Sequence, residues 1–306
     1  MTEQPYVVIL AGGEGCRLSS LTRALYGYDL PKQFAVLAGD RSLMQTTVER
    51  AMQLTSIDRI SVVVTAHHEQ IARAQLFSYP GVELIVQPFN LDTAPGMLLP
   101  LARIVARSWT ARVIFLPSDH YIPNPMPILQ ALASTQVGPL RDRISLVGVT
   151  PTAPEVEYGW ITCGRRLGVA SFEVAEFREK PGADIAEDLW RRGGLWNTFI
   201  QTGPVNAFWK LAHRCLPTHA TALERYAVSI GGVYELAALE AAYRLMHPSS
   251  FSRDVLAYAD HLAVLQVAGS GWSDWGTPAR VFASLVGTAA YERIVERIRG
   301  DLALAG

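Results

Sequence analysis

Short apolar runs, each about as long as a β-strand, alternate with longer mixed segments through the first half of the chain. The runs are rich in Val and Ile and predict strands over residues 6–10, 60–65, 82–86, 112–116 and 144–149. Runs that are apolar throughout are typical of strands covered on both faces in a parallel sheet. Segments with helical spacing lie between them, at residues 42–54 and 127–135. This alternation predicts an α/β fold around a doubly wound, mostly parallel sheet.

The second half of the chain is less regular. Strand-like segments at residues 159–163, 172–177 and 196–202 mix with helical ones at 185–192, 205–215 and 233–245. No linker separates the halves, so the second half is predicted to be a substrate-facing elaboration of the first. Pro100 lies inside the helical segment that follows Thr93. An interior proline costs about 3 kcal/mol in a straight helix, and we expect a kink there.

The last segment predicts an amphipathic helix, because apolar residues recur at helical spacing on one face and charged residues occupy the other. The apolar face consists of Tyr291, Ile294, Val295, Ile298 and Leu302, and the charged face of Glu292, Arg293, Glu296, Arg297 and Arg299. We expect this helix to fold back on the body of the protein. The predicted organisation is one main domain over residues 1–286, followed by the helix at residues 287–306.

Composition narrows the classes of partner. The 306 residues are 49% hydrophobic and 18% charged, which excludes a disordered chain. Lys and Arg total 27 against 28 acids, so the chain lacks the basic field that holds a nucleic-acid backbone. The N-terminus does not resemble a secretory signal, and no apolar stretch is long enough to span a bilayer. We therefore expect a cytoplasmic protein with small-molecule partners and no membrane or nucleic-acid partner; a homo-oligomer stays open.

Cysteines and histidines form no recognisable metal-binding motif. Cys16, Cys163 and Cys215 lie far apart without a Cys-x-x-Cys, so neither a disulfide framework nor a cysteine zinc site is expected. None of the seven histidines has the spacing of a metal motif, and His67 and His68 are expected in a loop.

A glycine-rich turn directly follows the first predicted strand. It reads Ala-Gly-Gly-Glu-Gly-Cys-Arg-Leu over residues 11–18, and Pro-Lys-Gln-Phe follows at residues 31–34. Glycines in such a turn let backbone N–H groups approach phosphate oxygens without obstruction by a Cβ atom. The turn lacks the Gly-Lys-Ser/Thr of a P-loop, and Leu18 stands where a dinucleotide fingerprint needs its third glycine. Arg17 and Lys32 are therefore the two cations near this turn that are expected to bind an anionic ligand.

Six further motifs follow along the chain. They are Thr-Ala-Pro at 93–95, Pro-Ser-Asp-His at 117–120, Glu-Tyr-Gly-Trp-Ile at 157–161, Glu-Lys-Pro at 179–181, Trp-Asn at 196–197 and Trp-Ser-Asp-Trp-Gly at 272–276. In this order they resemble the sugar-1-phosphate nucleotidyltransferases, most closely the mannose-1-phosphate guanylyltransferases, over residues from about 6 to 285. The resemblance implies a Rossmann-like fold with a sugar-binding elaboration. It also implies transfer of a nucleotidyl group from an NTP to a sugar 1-phosphate, with release of pyrophosphate.

The resemblance assigns a role to each candidate site residue. The implied nucleotide-binding residues are Leu10, Ala11, Gly12, Gly13, Gly15, Arg17, Lys32, Gln87, Asp92, Thr93 and Asp119. The implied sugar-phosphate-binding residues are Gly159, Glu179, Lys180 and Asn197. The catalytic set comprises Arg17, Lys32, Asp119, Lys180 and Asp274. Asp119 and Asp274 are the candidate ligands for Mg²⁺, a cofactor that takes one or two carboxylates besides phosphate oxygens and water.

The chain departs from the family pattern at several positions. Cys16 replaces the usual Thr, and Phe199 stands where the family's Trp-Asn-Ser-Gly has its glycine. Gln87 replaces a Glu that precedes proline in the guanylyltransferases, and a Gln amide does not discriminate between bases by itself. Asp92 either supplies the missing carboxylate or caps the following helix.

GTP and mannose 1-phosphate are the leading substrates, and a thymidylyltransferase that uses dTTP is the alternative. A non-catalytic regulatory protein on the same fold is also open. A dinucleotide-dependent oxidoreductase is disfavoured by Leu18.

Overall fold

One mixed β-sheet runs through the molecule. The computed structural model describes the backbone of residues 3–304 and the side chains of residues 3–298. Within these residues the strands are β1 (Tyr6–Leu10), β2 (Ile60–Thr65), β3 (Glu83–Gln87), β4 (Arg112–Pro117), β5 (Ser145–Val149), β6 (Trp160–Arg166), β7 (Ser171–Arg178), β8 (Leu195–Pro204) and β9 (Ala263–Val267). Across the sheet they lie in the order β3-β2-β1-β4-β8-β5-β9-β7-β6.

Helices connect the strands and cover both faces of the sheet. They are α1 (Ser19–Tyr26), α2 (Leu43–Ala51), α3 (Glu69–Leu76), α4 (Thr93–Arg107), α5 (Met126–Ser134), α6 (Ala183–Arg191), α7 (Val205–Cys215), α8 (Pro217–Ala227), α9 (Glu235–Leu245), α10 (Phe251–Asp254), α11 (Pro278–Leu285) and α12 (Ala289–Leu304). Successive residues of β1 enter different cores: Val7 and Ile9 pack into one, and Val8 packs into the other. This two-sided burial explains why the strand is apolar throughout.

Parallel pairing is confined to part of the sheet. Strands β3, β2, β1 and β4 are parallel neighbours, and β5 is parallel to β9. The remaining pairings, β4–β8, β5–β8, β6–β7, β6–β8 and β7–β9, are antiparallel. The prediction of an α/β fold is confirmed, but the prediction of a mostly parallel sheet is wrong for the sheet as a whole. A continuous apolar run indicates that a strand is buried on both faces, but it does not indicate the direction of pairing. A central antiparallel strand such as β8 is buried on both faces just as a parallel strand is.

The predicted segments of the first half match the observed ones closely. Strands β1 and β2 have the predicted bounds, and β3, β4 and β5 differ from them by one residue at one or both ends. The sequence analysis did not assign α1, α3, α8, α10, α11 or β9. Helix α4 continues through Pro100 as a single element, and the kink expected there stays a prediction.

The C-terminal helix α12 packs on the body of the protein through the part whose side chains are described. Ile294 is buried in the core, and the Arg297 guanidinium donates to the Leu25 carbonyl and lies over the Tyr26 ring. The predicted contributions of Arg299 and Leu302 lie outside the described side chains. The division into residues 1–286 and 287–306 stays a prediction. Among the described helices, none combines the length and the apolar character needed to cross a membrane.

Candidate active site

The glycine-rich turn is held in place by a glutamine from the next motif. Gln33 is buried, and its Nε2 donates to the carbonyls of Ala11 at 3.2 Å and Gly13 at 2.7 Å. Gly15 has φ = 65°, and it lies so close to the Pro-Lys-Gln-Phe segment that a Cβ there would be 2.7 Å from the backbone nitrogen of Lys32. A glycine is required for both reasons. The Pro-Lys-Gln-Phe motif and the turn therefore act as one unit.

A cleft of about 500 Å³ opens at the carboxyl ends of the parallel strands. This edge is where ligands bind in open α/β sheets. Seven of the predicted nucleotide-binding residues line it: Leu10, Gly12, Gly13, Gln87, Asp92, Thr93 and Asp119. Four do not line it: Ala11, Gly15, Arg17 and Lys32. We call this cleft the larger pocket.

A second pocket of about 140 Å³ adjoins the first. Arg17 and Asp274 line it. So do all four predicted sugar-phosphate residues, which are Gly159, Glu179, Lys180 and Asn197. His120 and Phe199 line both pockets. We call this one the smaller pocket, and the two shared residues mark where the pockets meet.

A β-bridge brings the two separated aspartate motifs together. Tyr121, just after Asp119, exchanges two backbone hydrogen bonds with Ser273, just before Asp274, at 2.9 and 3.0 Å. The Tyr121 ring also stacks on the buried Trp275 ring, with centroids 4.2 Å apart. The juxtaposition that the motifs implied is therefore built into backbone pairing.

Lys32 lies at the centre of this arrangement. Its side chain is 3% exposed, and its ammonium pairs with Asp119 Oδ2 at 3.0 Å. It also donates to the backbone carbonyls of Asp274 and, at 3.4 Å, Trp275. The Lys32 ammonium thus joins the two aspartate segments to each other, and its contact with a triphosphate stays a prediction. The Arg17 side chain is 53% exposed and remains accessible to a ligand.

Asp274 is held by donors from three directions. Its Oδ1 accepts from the Tyr158 hydroxyl at 2.6 Å, the Gly276 N–H at 2.9 Å and the Arg280 guanidinium at 3.0 Å. Its Oδ2 lies 3.5 Å from the Arg17 guanidinium. This network makes Asp274 a rigid buried anion.

The pKa values of the acidic groups reflect these cations. Burial would raise the pKa of the Asp119 carboxyl, but the Lys32 ammonium, with contributions from His120 and the backbone, outweighs burial and the pKa is lowered. Burial would also raise the pKa of Asp274, but the Tyr158 hydrogen bond, Lys32, His120 and Arg280 together outweigh burial, so this pKa is lowered too. Burial lowers the pKa of His120 to about 4, so its ring is neutral near pH 7 and accepts from Trp272 Nε1 at 3.1 Å. Both aspartates are therefore ionised, and His120 adds no charge where the pockets meet.

The two aspartates have the chemistry to hold Mg²⁺. Among the described side chains, no hydrogen-bond donor contacts Asp119 Oδ1, and the nearest ring nitrogen, on His120, is 3.8 Å away. Asp274 Oδ1 is saturated, but its Oδ2 carries only the long contact to Arg17. Each carboxylate thus keeps one oxygen for a hard cation, which matches the one or two protein carboxylates that Mg²⁺ takes beside substrate phosphates.

Gln87 and Asp92 are the groups of the larger pocket that bear on base choice. Gln87 ends β3, is buried, and accepts from the Tyr243 hydroxyl through Oε1 at 3.2 Å. Its Nε2 lies on the side of Gly12. Asp92 caps α4, because Oδ1 accepts from the Thr93 N–H at 2.6 Å, while Oδ2 lies 3.6 Å from Arg253. The structure shows the cap, and a role of the Asp92 carboxylate in base recognition stays a prediction.

Phe199 occupies a distorted point of β8. The pairing register with β5 shifts between the Leu146–Gln201 and Gly148–Asn197 pairs, so β8 bulges over the intervening residues. Phe199 has φ = 60°, a conformation that costs a non-glycine residue about 1–2 kcal/mol. The Asn197 side-chain oxygen accepts from the Phe199 N–H at 3.2 Å and supports this conformation. The aromatic ring thereby forms a wall shared by both pockets.

Backbone strain concentrates around these pockets. The described residues include five non-glycine positions with positive φ: Asp92, Lys180, Phe199, His261 and Trp275. Three of them line a pocket, and Trp275 accepts from Lys32. Such residues cluster at functional sites because only a well-packed surrounding maintains them.

The sugar-phosphate candidates form a compact group. The Asn197 N–H donates to the Gly159 carbonyl at 2.8 Å, and the Lys180 N–H donates to the Tyr158 carbonyl at 3.2 Å. A Cβ at Gly159 would lie 2.8 Å from Glu179 Oε2 and 3.3 Å from the Asn197 Cβ, so a larger residue there would displace the Glu179 carboxylate. Burial raises the pKa of Glu179, against the opposing charge of Lys180.

Several pocket residues were not singled out from the sequence. His120 and Gln33 belong to motifs that the sequence analysis identified, but the sequence did not indicate their roles. Asn90 and Gly96 line the larger pocket, and Ser252 lines the smaller one. No sequence signal marks Asn90 or Gly96, since they reach the larger pocket only through tertiary packing.

Together, a doubly wound sheet, a glycine-rich turn and paired aspartates at its carboxyl edge define a nucleotidyltransferase. The chain belongs to the nucleotidyl transferase family, whose model matches residues 6–285. It is therefore a member of an enzyme family.

Relatives point to a particular branch of that family. The alginate biosynthesis protein AlgA of Pseudomonas putida is 34% identical over 198 residues, which are 62% of this chain and 39% of that protein. The mannose-1-phosphate guanylyltransferase RfbM of Salmonella typhimurium is 26% identical over 276 residues, 88% of this chain and 56% of that protein. The chain thus spans about half the length of the curated relatives it matches.

Solved structures agree with this relationship. A crystal structure described as mannose-1-phosphate geranyltransferase from Thermus thermophilus has a TM-score of 0.80 and 28% identity, covering 93% of this chain and 80% of that one. The inositol-1-phosphate CTP transferase of T. maritima has a TM-score of 0.57 at 14% identity, covering 98% of both chains. The second likeness is one of fold alone.

Proposed function

We propose that this chain transfers a nucleotidyl group from GTP to mannose 1-phosphate, giving a nucleotide sugar and pyrophosphate. The main observation behind this proposal is that two pockets of unequal size meet beside Asp119. Around them lie Arg17, Lys32, Lys180 and Asp274. The larger pocket suits a nucleoside triphosphate, and the smaller one suits a sugar phosphate. Similarity to proteins named mannose-1-phosphate guanylyltransferase supports the choice of substrates.

The chemistry in this proposal is an in-line displacement. An oxygen of the sugar phosphate attacks the α-phosphorus, a new P–O bond forms, and the bond to the pyrophosphate oxygen breaks. The attacking oxygen is already ionised near neutral pH, so no general base is needed. This agrees with the neutral His120, which has its Nδ1 occupied by Trp272.

Charge is the main obstacle to this reaction. Two unit negative charges 4 Å apart repel by about 4 kcal/mol at an effective dielectric constant near 20. Arg17 and Lys180 both line the smaller pocket and offer cations to it, and charge-assisted contacts contribute about 1.5–3 kcal/mol each. Positioned cations thus do most of the catalytic work.

Mg²⁺ would be held by Asp119 Oδ1 and Asp274 Oδ2, the carboxylate oxygens with capacity left. When bound, it supplies electrostatic stabilisation of the phosphate oxygens. Lys32 keeps both aspartate segments in register for this role, and the hydrogen bonds from Tyr158 and Arg280 orient Asp274.

The base is the least constrained part of the proposal. With Oε1 engaged by Tyr243, Gln87 offers an N–H donor, which suits the O6 of guanine and the O4 of thymine equally. Asp92 Oδ1 caps α4 and Oδ2 lies 3.6 Å from Arg253, so this carboxylate is not reserved for a base. The preference for GTP rests on the relatives, and dTTP is the second candidate. Cytoplasmic location stays a prediction.

Pyrophosphate release measured over a matrix of GTP, dTTP, UTP and CTP with several sugar 1-phosphates tests the proposal. We expect the highest kcat/KM for GTP with mannose 1-phosphate. The highest value for dTTP would replace the base assignment and keep the reaction class. No release with any pair would favour the non-catalytic alternative.

A further inference from the structure

A cluster of two histidines and a glutamate lies beside the glycine-rich turn, away from the aspartate pair. Glu14 belongs to the turn after β1, and His67 and His68 belong to the short turn after β2. One oxygen of Glu14 and one ring nitrogen from each histidine all lie within 4.8 Å of one another. The histidines, judged from the sequence to lack metal spacing, thus acquire a carboxylate partner from a distant part of the chain.

The cluster is anchored rather than formed by freely moving side chains. His67 Nε2 lies 3.1 Å from Glu14 Oε2, while Glu14 Oε1 accepts from Asn90 Nδ2 at 3.0 Å. His68 is buried, with Nδ1 3.2 Å from the Thr65 hydroxyl and its ring edge against Phe34. Partners that orient ligand side chains in this way are typical of protein metal sites.

The donor set defines the class of ion. Two imidazole nitrogens and one carboxylate oxygen suit Zn²⁺ and similar transition metals, whereas Mg²⁺ prefers oxygen alone. Zn²⁺ takes these ligands at about 2.0–2.2 Å, so ligand atoms lie roughly 3.5 Å apart in a tetrahedral site. The exposed side chains of Glu14 and His67 can close the remaining distance by small rotations.

We propose that Glu14, His67 and His68 form a binding site for one transition-metal ion of the Zn²⁺ class. The bound ion would tie the glycine-rich turn to the turn after β2. Because Gly12, Gly13 and Asn90 line the larger pocket, the site lies on one rim of that pocket. The proposal does not depend on which nucleotide or sugar the protein uses.

Zn²⁺ binding to the full chain, with any purification tag removed, tests the proposal by competition against a chromophoric chelator. We expect one ion per chain. Loss of an outer hydrogen-bond partner alone typically weakens metal binding by about 10–100-fold, so loss of a ligand in Glu14→Gln or His67→Gln should weaken it at least about tenfold. Both side chains are largely exposed, so these variants should fold.

Two control variants sharpen the result. His213 pairs with Glu224 at 2.7 Å on the surface but lacks a third ligand among the described side chains, so His213→Gln should bind Zn²⁺ like the wild type. Cys16 is an exposed free cysteine in the same turn, and Cys16→Ser should also retain binding. Unchanged affinity in both Glu14→Gln and His67→Gln would overturn the proposal. Lost binding in Cys16→Ser would overturn the ligand set.

Amide hydrogen exchange provides a readout that a purely structural role would not move. Zn²⁺ should slow exchange in residues 11–18 and 65–69 of the wild type and leave His67→Gln unchanged. Equal exchange with and without Zn²⁺ in the wild type would contradict the tie between the two turns.

Discussion

The two pockets differ in how the chain builds them. The larger pocket lies at the carboxyl ends of parallel strands, with Gly12, Gly13 and Gln87 among the residues that directly follow or end them. The smaller pocket lies among antiparallel strands, where a bulge in β8 and positive φ values at Lys180 and Phe199 shape it. In the proposed function, regular geometry thus forms the pocket assigned to the NTP, and local distortion forms the pocket assigned to the sugar 1-phosphate. Variation between relatives is expected to concentrate in the smaller pocket.

The two pockets also differ in how they handle charge. Beside the larger pocket, Lys32 is buried and pairs with Asp119, which lines that pocket, so the charge of Lys32 is already compensated. In the smaller pocket, Lys180 is exposed. Arg17, whose side chain is half exposed, makes only a 3.5 Å contact with Asp274. Free cations therefore face the side assigned to the sugar phosphate.

Removing the exposed cation of the smaller pocket should give the largest separation between the two substrates. For Lys180→Met we expect the KM for the sugar 1-phosphate to rise about a hundredfold, the loss of one strong charge-assisted contact. The KM for the NTP should change less than about twofold. Lys210→Met, a matched change at an exposed lysine outside both pockets, should leave both constants unchanged. A rise in the KM for the NTP instead would reverse the assignment of the pockets.

Opening the shared aromatic wall should change selectivity by a smaller factor. Phe199→Gly removes the ring and suits the φ of 60°. We expect kcat/KM for a bulkier N-acetylhexosamine 1-phosphate to improve relative to a hexose 1-phosphate by about tenfold, the usual scale for apolar pocket contacts. The same change at the exposed Phe77 should have no such effect. An unaltered preference in Phe199→Gly would show that the ring does not limit the smaller pocket.

Loosening Gln87 should give the smallest effect. Tyr243→Phe removes the hydroxyl that donates to Gln87 Oε1, and we expect the KM for the NTP to rise about fivefold, corresponding to about 1 kcal/mol for one hydrogen bond. The KM for the sugar 1-phosphate should stay constant, and Tyr258→Phe, at an exposed tyrosine, should match the wild type. Equal kinetics for Tyr243→Phe and the wild type would remove Gln87 from base recognition.

The sequence predicted the parallel region and its motifs because their signals are local. Strand β1, the glycine-rich turn and Asp119 after β4 can be found from neighbouring residues alone. Strand β9 was not assigned although residues 263–267 form a mostly apolar run of strand length, and its pairing with β5 and β7 is non-local. The direction in which the strands pair could not be predicted either, because it also depends on non-local contacts.

The site followed the same rule. The motifs placed Asp119 and Asp274 in one site, yet nothing local indicated that Lys32 would pair with Asp119. The approach of Glu14 to His67 depends on β1 and β2 being neighbours in the sheet. Individual side-chain contacts can be predicted only when the tertiary arrangement is known, whereas motifs can be found from the sequence alone.

The central claim is that both substrates react beside Asp119. Pyrophosphate release by Asp119→Asn, compared with the wild type under saturating substrates and Mg²⁺, tests it most directly. Lys32 keeps its bonds to the carbonyls of Asp274 and Trp275, so the variant should fold, as circular dichroism can check. We expect release to fall at least about a thousandfold, while Asp29→Asn, at an exposed aspartate paired with Arg23, keeps full activity. A folded Asp119→Asn that releases pyrophosphate at the wild-type rate would contradict the claim.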